Sequence, residues 1–175
     1  MVSEKLEKAL NEQVNKEMAS AYLYFGMATY FETEDLPGFA SWMHNQAEEE
    51  MTHAMKIYRF LLDVGSKPVF GDLSAPKTEY GKAIDVMKQV LEHEKFVTKS
   101  ITDLYKLADE ENNYTTMSFL KWFIDEQVEE EATVSAIIGR FKYCDSNHCL
   151  MMIDQEMGKL AAAAAAAVAT TATAE

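Results

Sequence analysis

The chain has 175 residues, 29 Asp and Glu against 16 Lys and Arg, a formal net charge of −13, and only seven glycines and three prolines. That length holds one domain with its own core, and the acidic surplus excludes nucleic acid, whose binding needs a cationic face to displace counterions, while suiting cations as clients. Strand-like alternation is absent, no segment has the span of a bulky apolar membrane helix, and Met1 to Lys8 lacks the basic region and apolar run of a secretory leader, so an all-helical, cytoplasmic protein is expected with no membrane partner.

Ser3 followed by Glu4 reads as a helix N-cap with an acid in the first turn, and helical periodicity then runs to about Glu34. Asp35-Leu-Pro-Gly38 interrupts it. A second helix is expected from about Phe39 to Val64, stopping at Gly65. A third spans about Lys82 to Glu110, a turn falls at Glu111-Asn-Asn113, and a fourth runs from about Tyr114 to Phe141. A short fifth helix, about His148 to Leu160, follows a polar loop. Cys144 and Cys149, beside His148, are too few for a disulfide framework or a zinc knuckle, and free thiols are expected. The Ala-rich stretch from Ala161 to Glu175 is low-complexity and carries no recognisable chemistry.

Connection lengths set the topology. Short links make the first and second helices antiparallel neighbours, and likewise the third and fourth. Gly65 to Tyr80, roughly sixteen residues at about 3.3 Å each, can span about 50 Å, whereas a helix of about 27 residues is about 40 Å long. The second and third helices can therefore run parallel, giving a four-helix bundle with one long crossover.

Alternating steps of three and four residues pick out the face of each helix that points inward. These stripes are Leu10, Val14, Glu17, Ala21, Tyr24, Ala28 and Phe31; Phe39, Met43, Gln46, Glu50, His53, Ile57, Phe60 and Val64; Ala83, Met87, Val90, Glu94, Val97, Ile101, Leu104 and Ala108; and Leu120, Phe123, Gln127, Glu130, Val134, Ile137 and Phe141. Each is apolar except near its middle. Glu17, Glu50, Glu94 and Gln127 lie about 14, 12, 13 and 14 residues into their helices, so the polar positions share one level whichever way each helix points.

An isolated buried carboxylate costs several kcal/mol or takes up a proton, and several facing one another also repel. Divalent metal removes both penalties. Glu17, Glu50, Glu94 and Glu130 would be neutralised by a pair of such ions, His53 adds an imidazole nitrogen, and Gln127 can hydrogen-bond without adding charge. Oxygen-rich ligands with one imidazole suit Fe(II), although ligand type alone leaves Mn and Zn open. A single polar residue in such a stripe is more often a satisfied core group, and Gln46 is read that way. Six at one height on four helices, with Glu50 and His53 and then Gln127 and Glu130 each a turn apart, point to a metal centre.

Four segments carry a family likeness: Leu10-Asn-Glu-Gln-Val-Asn-Lys-Glu17, Gln46-Ala-Glu-Glu-Glu-Met-Thr-His53, Phe119-Leu-Lys-Trp-Phe123 and Glu126-Gln-Val-Glu-Glu-Glu131. Through them the chain resembles the non-haem ferritins of bacteria and archaea over residues 1–160, with 161–175 as a tail outside the likeness. The resemblance implies a ferritin-like bundle that oxidises Fe(II) with dioxygen and stores the ferric product as mineral in a hollow cage of 24 copies. It assigns Glu17, Glu50 and His53 to a first iron, with Glu50 bridging to a second held by Glu94 and Glu130, and it places Gln127 beside them. A third iron position corresponds to Glu49, Glu126, Glu129 and Glu130, although these acids could equally form a solvated face, and Tyr24 corresponds to a tyrosine beside the centre that can supply an electron or simply bond Glu94. No haem is expected, because Gln127-x-x-Glu130 stands where bacterioferritins repeat Glu-x-x-His, though Met51 after Glu50 keeps that rival in view. A di-iron oxidase or peroxidase without storage is the other alternative. Thr115-Thr-Met-Ser118 departs from the acidic entry channel of animal heavy-chain ferritins, which leaves the iron route open.

Overall fold

The computed structural model describes residues 2–172, with side chains through 167, and the long periodic stretches are helices: α1 (Glu4–Thr33), α2 (Pro37–Asp63), α3 (Ala83–Glu110), α4 (Tyr114–Arg140) and α5 (Asn147–Ala172). A 3-10 turn, Phe141–Tyr143, joins α4 to the loop before α5. No strand occurs among the described residues, and no described helix is long and apolar enough to cross a membrane.

Local chemistry explains the ends. The Ser3 hydroxyl accepts from the Leu6 N–H at 3.0 Å, and the Asn113 side-chain oxygen Oδ1 accepts from the Thr116 N–H at 3.0 Å, each satisfying a donor that the first turn leaves free. Gly65, at φ +78°, lets Ser66 donate back to the Leu61 carbonyl at 2.8 Å and so closes α2. Leu36 offers α2 no capping group. Asp154 of α5 supplies it, accepting from the Phe39 N–H at 2.9 Å. Gly38 makes this docking feasible, because a Cβ there would lie 1.8 Å from the Asp154 carbonyl oxygen.

The crossover runs along α1. Asn11 accepts from the Val69 N–H at 2.6 Å and donates to the Lys67 carbonyl at 3.1 Å, while Asn15 accepts from the Gly71 N–H at 2.6 Å and donates to the Val69 carbonyl at 3.0 Å. Farther on, Pro76 packs against Gly26 and the Tyr30 hydroxyl donates to the Gly81 carbonyl at 2.8 Å. The connector thus returns the chain to the end of the bundle where α2 began, and α3 runs parallel to α2, as its length allowed.

Inside, the side chains form two apolar blocks. One gathers Tyr24, Phe31, Phe39, Met43, Met87 and Ile137 with Ile153 and Met157 of α5. The other gathers Leu6, Leu10, Ile57, Leu61, Ile101, Leu120 and Phe123. Between them lies the polar layer.

Three expectations change. In α2 the stripe ends on Leu61, fully buried, with Phe60 and Val64 only half-buried; strict steps of three and four average 3.5 residues per turn and drift off a 3.6-residue helix. The fifth helix does not stop near Leu160 but continues to Ala172, since alanine is the strongest helix former. Finally, Cys144 and Cys149 are joined as a disulfide and not free, because the loop before α5 brings their Cα atoms to 5.4 Å, within bridging range.

Candidate metal centre

Glu17 of α1, Glu50 and His53 of α2, Glu94 of α3 and Gln127 and Glu130 of α4 are all buried, none more than 7% exposed. Each turns inward because its helix stripe does. The ligating atoms of Glu17, Glu50 and His53 lie within 4.8 Å of one another, and His53 Nδ1 is 3.8 Å from Glu50 Oε2. Trp122 and Phe123 stand edge-on to the imidazole, with ring centroids at 5.3 and 5.9 Å, and shelter it.

Glu94 and Glu130 face the same layer but are tied differently. The Tyr24 hydroxyl donates to Glu94 Oε1, and Gln127 Nε2 donates to Glu94 Oε2 at 3.2 Å. Gln46 Nε2 donates to Glu130 Oε2 at 3.2 Å. Glu49, exposed, and Glu126, half-buried, bring their carboxylates within 4.8 Å of the His53 ring, so one imidazole borders two acid clusters. Glu129 is exposed and stands outside that group.

The electrostatics follow from burial. Removal from water, and then the charge of Glu50, holds the Glu17 carboxyl well above the usual carboxylate range. Burial and Glu94 do the same to Glu50. Burial raises Glu94, against the hydrogen bonds from Tyr24 and Gln127. Burial and then Glu49 push Glu130 up to about 9, and burial followed by Glu94 raises the Tyr24 phenol.

Glu17 Oε2 and both carboxylate oxygens of Glu50 are buried without a hydrogen-bond partner. These two carboxyls can hydrogen-bond each other only while one of them keeps a proton, since ionised carboxylates are acceptors alone. Buried acceptors left unsatisfied cost about 1–3 kcal/mol each, more when charged. Partnerless oxygens on two carboxylates that approach each other and an imidazole nitrogen match the donor set of a divalent metal ion.

Sequence reading missed the groups that hydrogen-bond the residues of this layer. Gln13 donates from Nε2 to Glu17 Oε1 at 2.9 Å, and its spacing of one turn from Glu17 could have flagged it. Gln46, read as a satisfied core group, is satisfied by Glu130 itself. Ser100 and Thr98 approach the layer through Gln13 and Gln127, and no pattern within α3 marks them.

A bundle with one crossover and a layer of carboxylates and one histidine at mid-height defines a ferritin-like metal-binding protein. Residues 7–144 match the ferritin-like domain, and the chain belongs to the ferritin family. It is 38% identical to a bacterial non-heme ferritin of Staphylococcus aureus over 90% of this chain and 96% of that one, and 43% identical to the counterpart in Staphylococcus epidermidis over 90% and 95%. Among solved structures it is similar to an open pore ferritin from the hyperthermophilic archaeon Archaeoglobus fulgidus, with a TM-score of 0.88, 38% identity, and coverage of 90% of this chain and 98% of that one.

Proposed function

We propose that this chain is an iron-storage subunit whose buried layer is a ferroxidase centre. A pair of Fe(II) ions is the substrate, the first taken by Glu17, Glu50 and His53 and the second by Glu94 and Glu130, with Glu50 between them and Gln127 alongside. Each ion gives up one electron, dioxygen accepts the pair, and the hydrolysed Fe(III) passes to a mineral core. The protein's own part is to fix the spacing of the ions, shelter them beneath Trp122 and Phe123, and release the protons that burial keeps on its acids as cations arrive. Tyr24 holds Glu94 through its hydroxyl, and in this reading its phenol supplies a further electron.

The observation that carries this reading is that Glu17, Glu50 and His53 bring ligand atoms within 4.8 Å of one another while buried oxygens of both carboxylates lack a hydrogen-bond partner. Family membership supports iron storage, and nothing in the site favours a haem protein or a peroxidase. A cage of 24 copies, a cytoplasmic location, a functional unit of residues 1–160 followed by the Ala-rich stretch 161–175, and a third iron position drawing on Glu49, Glu126, Glu129 and Glu130 belong to the same proposal. For the third position, the nearness of Glu49 and Glu126 to His53 is the support.

Anaerobic Fe(II) titration, followed by dioxygen and by sizing of the assembly, tests it. Fast oxidation should saturate at about two or three irons per chain, and Glu50→Ala should fall to the rate of buffer alone. Wild-type rates in that variant would refute the centre.

A further inference from the structure

Glu17 is held by a hydrogen-bond chain that begins on another part of the surface. Lys16 Nζ donates to Ser100 Oγ at 2.6 Å, Ser100 Oγ donates to Gln13 Oε1 at 2.6 Å, and Gln13 Nε2 donates to Glu17 Oε1 at 2.9 Å. Gln13 is 1% exposed, whereas Lys16 is half-buried.

The direction of this chain is not free. An ammonium group has donors and no acceptor, so Ser100 can only accept from Lys16 and must send its own hydrogen elsewhere. It sends it to the Gln13 carbonyl oxygen. With that oxygen occupied, the amide can present only its N–H to Glu17. Were the amide turned over, its oxygen would face Glu17 Oε1, and once an arriving cation displaced the carboxyl proton two acceptors would be left in contact.

We propose that Gln13 is a positioning residue for the first metal position, locked in one amide orientation by Ser100 and Lys16 so that Glu17 commits Oε1 to the protein and turns Oε2 to the metal. The pattern of satisfied and unsatisfied atoms agrees: Glu17 Oε1 has its donor, and Oε2 is buried with none. Because Gln13 and Glu17 sit on α1 and Ser100 on α3, the chain also spans the helix pair across which the first and second metal positions are to be matched. Gln13 acts only through Glu17, and its role rests on the ferroxidase-centre reading.

The test uses Co(II), a redox-inert probe whose visible absorption reports coordination, added anaerobically to the assembled, metal-free protein. Gln13→Leu should loosen the first Co(II) by about tenfold or more, the usual cost of removing an outer partner of a metal ligand, and alter its absorption. The second Co(II) should change less. Ser100→Ala should shift the first affinity in the same direction while leaving Gln13 in place, and Ser100→Thr, which keeps the hydroxyl, should restore both affinity and spectrum. This Ser100 pair decides the matter even where Gln13→Leu does not fold. Wild-type affinity and spectrum in Gln13→Leu or Ser100→Ala would overturn the role of Gln13 and leave the metal centre standing. A wild-type chain that takes up no Co(II) would overturn the centre itself, and this role with it.

Discussion

Buried in its helix layer, Glu130 keeps a proton to about pH 9 in the folded, metal-free chain, whereas an unfolded glutamate releases its proton near about pH 4.3. Between these values the folded state binds more protons than the unfolded one. Its contribution to stability is therefore complete below the unfolded value and is lost as pH rises toward the folded one, at about 1.4 kcal/mol per pH unit for each such group. Glu17 and Glu50, also raised well above their ordinary range, act in the same direction. Chemical denaturation of chelator-treated protein from about pH 5 to about pH 9 should show stability falling, and Glu130→Gln should flatten part of the fall. Stability that rises over this range would contradict the buried protonated layer. At this scale the residues of the buried polar layer were legible because each interrupts an apolar stripe. Gln13, Ser100 and Thr98 were not, because their positions across from the layer depend on the register between helices, which no single helix encodes.

Among the elements, α3 was the most legible: all eight residues of its expected stripe are buried. Its polar face is continuous and its ends are marked by clear breakers. The fifth helix was the least legible, since neither its reach to Ala172 nor its attachment leaves a periodic trace. That attachment is specific. Asp154→Ala should remove the cap from the start of α2 and cost about 1 kcal/mol. Gly38→Ala should cost more, about 3 kcal/mol, because backbone must move to clear the 1.8 Å overlap with Asp154. Thermal unfolding gives the losses, and faster protease cleavage within α5 of both variants would locate them at this junction. Equal resistance of wild type and Gly38→Ala would show that α5 is held by other contacts.

Across the whole molecule, a polar layer separates two apolar blocks, and metal binding should fasten them together. Zn(II), which binds without redox chemistry, should raise the stability of the metal-free protein by about 2.7 kcal/mol per site at about 100 times its dissociation constant. For a chain of this size that corresponds to a rise in unfolding temperature of several degrees. The double variant Glu17→Ala, Glu50→Ala should lose most of the rise, as followed by calorimetry, and a full response from that variant would place the stabilising ion elsewhere. The topology behind this layer was readable from connector length alone, since few paths of that reach join two long helices. How the connector is fastened, through Asn11 and Asn15, was not, because two asparagines on an outer helix face look like ordinary solvated residues.

Division of labour between the two halves of the chain follows from that same crossover. Glu17, Glu50 and His53 all come from α1 and α2, while Glu94, Gln127 and Glu130 all come from α3 and α4. Residues 64–82 thus act as a tether between two helical hairpins, each bearing half of the charge that the other cannot tolerate alone. Tethering converts their meeting into an intramolecular event at high effective concentration. Cations bound at the proposed centre would then act as rivets, adding a polar fastening to a seam that the two apolar blocks already close.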